Sequence, residues 1–511
     1  MTASKDTFYI TTPIYYVNDV PHIGHAYTTV ACDVIARYRR LRGEKVFFLT
    51  GTDEHGEKVA LSAQERGLDP KAWTDQIVPR WKEVWSRLLI SNDDFIRTTE
   101  ERHERPVQKF VQLLKDRDDV YPGTYRGPYC VSCEEYKVES ELLEGGLCPI
   151  HGSPVEWLEE ENYFFRLSKY RDELLNLYEE HQEFVLPEER RNEVVSFVRG
   201  GLQDLSLSRV SFEWGIPVPW DPKHVIYVWI DALQNYITAA GFGIDQARFE
   251  RTWPADAHVV GKDILRFHAV IWPAMLMAAG LPVPKTVLAH GWLLVGGEKM
   301  SKTKLTGIHP FELIDHFGVD AYRYYFLREV QFGHDGNFSW ESMLARYNSE
   351  LANGLGNLAS RVLAMVESSF DGVVPEPRGE PGRLREAAGD LAKRFDTSME
   401  AFDLTAAVAA LDEFVREANR YLVEVAPWAL ARDPERRQEL ADRLYESVET
   451  LRLVAVFASP VMPLAAARLW EQLGIPEPLA SQRLPGAAGW GGLRPGTRTR
   501  RGEALFPRLE G

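Results

Sequence analysis

The first fifty residues constrain the fold most, because their hydrophobic pattern changes period twice. Residues 7–16 (TFYITTPIYY) are β-branched and aromatic, which suits a buried strand. After Pro21, apolar side chains fall at Ile23, Tyr27, Val30, Val34, Tyr38 and Leu41, in steps of three and four. That run predicts a helix, closed at Gly43 by a left-handed C-terminal cap. A second apolar run, VFFLTGTD (46–53), is again strand-like. Strand, helix and strand in about 50 residues read as a βαβ unit, and hence as part of a parallel sheet.

The rest of the chain is too long for one core. At about 100–200 residues per domain, 511 residues suggest three domains. Helical patterns run to about residue 118, and a Gly/Pro/Cys/Glu-rich stretch from 121 to 161 interrupts them. Strand signals return at VIYVWI (225–230), Val259–Val260 and Val287–Ala289. From about 344 the pattern is all-helical. One face runs through Leu344, Tyr347, Leu351, Leu355, Leu358, Val362 and Met365. A second runs through Leu404, Val408, Leu411, Val415, Ala418, Leu422 and Val425, and a third through Leu440, Leu444, Val448 and Leu451. The expected class is α/β, a parallel-sheet domain split by an insertion and followed by an all-α bundle. The boundaries are 1–115 and 225–298 for the two half-sheets, 116–224 for the insertion, 299–343 for a connecting region and 344–511 for the bundle.

The net charge of −16 excludes a generic nucleic-acid coat but allows a grouped basic surface. Arg37, Arg39, Arg40 and Arg42 form one such group, and Arg494, Arg498, Arg500 and Arg501 another. Solvated helix faces and a loose tail are the commoner explanation of each group taken alone, and charge by itself decides nothing. The longest nearly unbroken apolar run, 269–284, has 16 residues and three prolines, too short and too broken for a bilayer. No signal-peptide core opens the chain, so a cytoplasmic enzyme is expected.

Three clusters carry chemistry. His22-Ile23-Gly24-His25 stands where the first strand gives way to the first long helix, the place where open parallel sheets bind ligands. A helix N-terminus favours phosphate, and two imidazoles there could donate to a phosphate oxygen as charge builds. Lys299-Met300-Ser301-Lys302-Thr303 follows Gly296-Gly297. Two lysines on a glycine-flanked loop can close over a polyphosphate. Cys130, Cys133, Cys148 and His151 read C-x2-C-x14-C-x2-H, two knuckles of soft ligands that suit a structural zinc. A redox CxxC beside an unrelated Cys and His is the alternative, although YCVSCEEYKVES lacks the strand-then-helix setting of a redox pair. Cys32, alone in a helical pattern, reads as a small buried hydrophobe.

HIGH and KMSKT together resemble the paired signatures of the class I aminoacyl-tRNA synthetases. TTPIYYVND, TGTDEHG, YVWIDAL, GKDILRFHAVIWPAML and HGWL resemble the methionyl-tRNA synthetases in particular. NGLGNLASR (353–361) and NRYLVEVAPW (419–428) resemble that family's anticodon-binding bundle, so the likeness runs through essentially the whole chain. It implies a Rossmann-type catalytic domain. It also implies that methionine and ATP form methionyl-adenylate and pyrophosphate, after which methionyl passes to the terminal adenosine of tRNA(Met), initiator and elongator.

By the same resemblance, His22 and His25 stabilise the α-phosphate in the transition state, Gly24 leaves room for the nucleotide, and Asp263 meets the ribose. Lys302, helped by Lys299, neutralises the departing pyrophosphate. Mg²⁺ accompanies ATP, held mainly by phosphate oxygens and water. Ile14, Tyr16, Trp229, Ala232, Leu233, Tyr236, Ile264, His268 and Trp272 are implied as the methionine wall, with Asp53 for the ammonium. An aromatic slot suits a polarizable thioether, although ordinary core explains the same aromatics. Asn357, Arg361 and Trp428 are implied to read the anticodon, by stacking and hydrogen bonds to splayed bases. One zinc per chain would brace the insertion.

An insertion of about 110 residues already housing a metal module leaves no space for the editing domain of the leucine, isoleucine and valine enzymes. The cysteine enzyme keeps its zinc ligands near HIGH, whereas here they lie in the insertion. Two departures stand out. Thr303 replaces the usual Ser, keeping the hydroxyl, and CPIH (148–151) replaces a second CxxC. The chain ends soon after the bundle, at LFPRLEG, which predicts a monomer. A catalytically silent RNA-binding paralogue and a class I synthetase of other specificity remain the alternatives. Both phosphate-binding motifs are intact, which weighs against the first.

Overall fold

The computed structural model describes residues 5–150, 152–295, 298–299 and 308–510. Two compact units account for the chain. One holds Met1–Pro21, Val46–Ser86 and Ser91–His290, the other His22–Lys45, Arg87–Ile90 and Gly291–Gly511.

The first unit is built on a seven-stranded sheet. Its order is Tyr15–Tyr16, Lys45–Asp53, Thr7–Thr11, Ala257–Gly261, Val287–His290 and Val185–Leu186, with Asp94–Arg97 pairing Lys45–Asp53. The pairings of Tyr15–Tyr16 and Asp94–Arg97 with Lys45–Asp53, of Thr7–Thr11 with Ala257–Gly261, and of Val287–His290 with both its neighbours run parallel. Val185–Leu186 comes from the 116–224 stretch, so part of the insertion joins this sheet. The expected strand at 7–16 is two strands, interrupted over residues 12–14, where Pro13 has no N–H for a ladder.

VIYVWI (225–230) departs from expectation. Val225 and Ile226 end a strand, Asp221–Ile226, that pairs antiparallel with Ser208–Arg209 in a small separate sheet. Helix Val228–Leu233 then begins. Six apolar residues in a row carry no period, so a strand running into a buried helix reads like one strand. The insertion itself centres on a long antiparallel hairpin, Val120–Cys130 against Glu156–Phe165, with Val120 opposite Phe165. Cys130 is the last residue of its strand, and the chain turns sharply there into Glu135–Tyr136.

In the second unit, helix Ile23–Leu41 forms where its period predicted, and Gly43 takes φ +82° just beyond it. Cys32 is fully buried. Arg323 fixes this helix: it is fully buried, pairs with Asp33 at 2.6 Å, and donates to the carbonyls of Leu88, Pro460 and Val461. The arginines at the helix end are largely paired internally, Arg37 with Asp33, Arg39 with Glu400 and Arg42 with Asp396.

Helices Asn357–Phe370, Arg383–Glu400, Leu404–Val425, Arg437–Ala458 and Pro463–Gln472 form the bundle. Leu404, Val408, Leu411, Val415, Ala418 and Leu422 are buried, as are Leu440, Leu444, Val448 and Leu451. A π-helical stretch, Tyr347–Gly356, shifts the first face, so Leu344 and Met365 are only half-buried. The 371–382 interval connects two of these helices. Among the described residues no helix is long and apolar enough to cross a membrane.

Candidate functional site

Two imidazoles cap helix Ile23–Leu41. His22 is the N-cap, and its Nδ1 accepts the Gly24 N–H at 3.1 Å, while His25 Nδ1 accepts the His22 N–H at 3.2 Å. This is a capping box made of histidines, the rings 3.8 Å apart. An Nδ1 that accepts has no proton, so each neutral ring carries its proton on Nε2 as a donor. The Ile23 N–H donates to the Ile308 carbonyl at 3.2 Å, which ties this helix start to the chain five residues beyond KMSKT. Lys299 lies in strand Glu298–Lys299, opposite Leu294. Lys302 and Thr303 fall outside the described residues.

The implied methionine wall lies within the first unit. Tyr16 stands opposite Asp53 in parallel register. Asp53 is buried, and burial, Asp231 and Glu134 together hold its carboxyl well above the usual carboxylate range. Among the described residues its Oδ1 has no hydrogen-bond partner, nor has the Tyr16 hydroxyl or Glu134 Oε2. Orphaned acceptors of this kind, at a carboxylate burial disfavours, suit a cationic group.

Around them, Ile14, Tyr16, Trp229 and Ile264 are half-buried against the core that holds Leu233, Tyr236 and Trp272. Trp229 stacks on Phe267 at 3.7 Å. Tyr236 meets His268 Nε2 at 2.7 Å, and His268 Nδ1 donates to the Ile264 carbonyl at 2.9 Å. Ala232 is buried on the same short helix as Trp229 and Leu233. Trp272 is fully buried, its ring 6.1 Å from that of Tyr236. Asp263 is exposed, in the turn Lys262–Ile264 after strand Ala257–Gly261.

A buried network that motif reading missed supports this wall. Asp231 accepts from His55 Nδ1 and His103 Nε2, both at 2.7 Å, and His103 Nδ1 meets Thr238 at 2.8 Å. Burial opposes ionisation of Asp231, but the two histidines outweigh it and hold its carboxyl below the usual range. The network joins the segment after Asp53 to the helix bearing Trp229. His55 and Asp231 stand inside TGTDEHG and YVWIDAL, but only the fold brings His103 to them.

The sulfurs of Cys130, Cys133 and Cys148 lie within 4.8 Å of one another, with Cys133 and Cys148 at 3.5 Å. A tetrahedral site with metal–sulfur bonds of about 2.3 Å sets its sulfurs about 3.8 Å apart, so this cluster fits a metal. All three are free thiols rather than half of a disulfide. His151 falls outside the described residues.

In the bundle, Arg361 and Trp428 line a surface cavity of about 460 Å³ with Met365, Leu422, Pro427 and Arg501. The Arg361 guanidinium lies 4.9 Å over the Trp428 ring, which is 39% exposed. Asn357 is exposed one turn before Arg361 on the same helix face. Arg501 belongs to the basic tail group, whose charge alone gave it no place.

A family model described as tRNA synthetases class I (M) matches residues 8–150 and 135–363. A second, the anticodon binding domain of methionyl tRNA ligase, matches residues 378–510. The chain is 55% identical over 522 residues to a methionine–tRNA ligase of Streptomyces coelicolor, covering 98% of this chain and 97% of that one. It is 51% identical over 510 residues to the corresponding ligase of Caldanaerobacter subterraneus, covering 99% and 79%. Mycobacterium tuberculosis methionyl-tRNA synthetase in complex with methionyl-adenylate has a similar structure, with a TM-score of 0.94 at 44% identity over 98% of this chain and 100% of that one.

Proposed function

The chain belongs to the class I methionyl-tRNA synthetase family and is a methionine–tRNA ligase, and from that premise we propose how its residues divide the reaction. Asp53 receives the methionine ammonium, which relieves a carboxylate that burial disfavours. Tyr16, Ile14, Trp229, Ala232, Leu233, Tyr236, Ile264, His268 and Trp272 enclose the side chain. A neutral His268, donating to Ile264 and accepting from Tyr236, fixes the Tyr236 ring as a wall.

The methionine carboxylate attacks the ATP α-phosphorus and pyrophosphate leaves. The Nε2–H groups of His22 and His25 donate to the α-phosphate as negative charge accumulates there, and no covalent enzyme intermediate is needed. Gly24, with no side chain, leaves the nucleotide room at that helix start. Lys299 and Lys302 balance the charge of the leaving pyrophosphate, Asp263 meets the ribose, and Mg²⁺ enters with the ATP phosphates. The methionyl group then passes to the 3′ adenosine of tRNA(Met), initiator or elongator.

The cysteine cluster holds one zinc with His151 as fourth ligand, and its chemistry is structural. Asn357, Arg361 and Trp428 receive the anticodon, for which an exposed indole under a guanidinium is a stacking platform. We propose further that the enzyme acts as a monomer in the cytoplasm.

The orphaned Asp53 oxygen beside an aromatic wall carries this reading of the amino-acid site. Charging of tRNA(Met) transcripts with radiolabelled methionine tests the division of labour. Trp428→Ala should raise the KM for tRNA at least about tenfold and leave methionine-dependent ATP–pyrophosphate exchange intact. Equal loss in both assays would contradict the assignment of Trp428 to the anticodon.

A further inference from the structure

Glu134 follows Cys133 directly, yet its carboxylate is fully buried among the groups assigned to the amino acid. Its backbone takes φ +50°, a left-handed conformation that a non-glycine residue adopts at a cost. Four hydrogen bonds hold this turn in place. The Tyr227 hydroxyl donates to the Glu134 carbonyl at 2.5 Å and Trp229 Nε1 to the Cys133 carbonyl at 3.3 Å. Lys58 Nζ donates to the Ser132 carbonyl at 3.0 Å, and the Lys58 N–H to Glu134 Oε1 at 2.9 Å. Gly56 makes space, because a Cβ there would stand 2.6 Å from Oε1 and 2.9 Å from Oε2.

Oε1 therefore caps the helix that follows Asp53, while Oε2, the Tyr16 hydroxyl and Asp53 Oδ1 are buried and make no hydrogen bond of ordinary geometry among the described residues, although the Tyr16 hydroxyl and the Glu134 carboxylate are close enough to interact. A strained turn, a glycine that admits the carboxylate and an uncommitted oxygen beside Tyr16 exceed what a helix cap requires.

We propose that Glu134 is a positioning residue of the amino-acid site: delivered by the cysteine knuckle, its Oε2 accepts the Tyr16 hydroxyl when methionine binds and fixes that ring beside Asp53, where the substrate's ammonium binds. This rests on the reading of Asp53 as the ammonium site. A glutamine at 134 can keep the cap through its amide oxygen, but it then presents an NH₂ to Tyr16, which cannot accept the hydroxyl proton.

The test is calorimetric binding of methionine to the metal-loaded protein without ATP. It compares wild type, Glu134→Gln, Tyr16→Phe, the double variant and Asp53→Asn, alongside thermal midpoints and the KM for ATP. Glu134→Gln should weaken methionine binding roughly tenfold, a cost on the scale of one lost buried hydrogen bond, at unchanged midpoint and ATP KM. It should cost nothing further in the Tyr16→Phe background. Wild-type affinity in Glu134→Gln, an additive double variant, or a lowered midpoint with a raised KM for ATP would each overturn the proposal. If Asp53→Asn weakens binding and Glu134→Gln does not, the proposal fails and the ammonium site stands. If Asp53→Asn binds methionine normally, the ammonium site fails as well.

Discussion

His268 makes two hydrogen bonds whose directions are fixed once burial keeps its imidazole neutral. A carbonyl can only accept, so Ile264 fixes the proton on Nδ1 and leaves Nε2 to accept from Tyr236. Burial, opposed only partly by the Ile264 carbonyl, pushes the pKa of His268 down to about 4, and burial also holds His258 well below the usual histidine range. Between about pH 6.5 and 4 the unfolded chain therefore binds protons that the folded His268 refuses. Stability should be fully present above that window and fall as pH drops through it. The slope is about 1.4 kcal/mol per pH unit for each such histidine. Denaturant unfolding from pH 7 to 4 checks this: His268→Gln should shallow the decline, and an unchanged slope would place the shift elsewhere. At this scale the sequence showed residue types through motif likeness. It could not show environment, since neither the burial of Asp53 beside Asp231 and Glu134 nor the reach of His103 to Asp231 is a spacing along the chain.

Elements were legible where their period was long and clean. Helices Ile23–Leu41, Leu404–Val425 and Arg437–Ala458 formed as their patterns required, because tertiary burial only confirmed an amphipathic face, whereas the π-helical stretch Tyr347–Gly356 shifted the first bundle face. VIYVWI was not legible, because uniform hydrophobicity fits a strand or a buried helix alike. The polar pairs that lock elements together were equally hidden. Arg323 and Asp33, both fully buried, lie 290 positions apart. Asp33→Ala would strand the guanidinium without its counter-charge and should destabilise the protein by about 3–5 kcal/mol, read by chemical denaturation. A loss below about 1 kcal/mol would mean that the surrounding carbonyls suffice. The cysteine knuckle makes a second prediction. Purified protein should carry one zinc by atomic absorption, and Cys148→Ala should lose it and expose the hairpin Val120–Cys130 to protease. Retained metal in Cys148→Ala would contradict the ligand set.

For the whole molecule, the net charge of −16 is compatible with a tRNA partner, because what matters is where cations stay available. Arg37, Arg39 and Arg42 pair largely with carboxylates of their own unit, whereas Arg361 and Arg501 line the bundle cavity. Composition alone could not separate these two fates. The order of fold classes along the chain, parallel sheet then bundle, was legible from periodicity, and specificity only through family motifs. The central claim, a methionine-specific first half-reaction, is tested most directly by ATP–pyrophosphate exchange without tRNA, run against all twenty amino acids. Strong exchange with methionine alone is the predicted result. Exchange driven by another amino acid, or none from folded metal-loaded protein, would contradict the account.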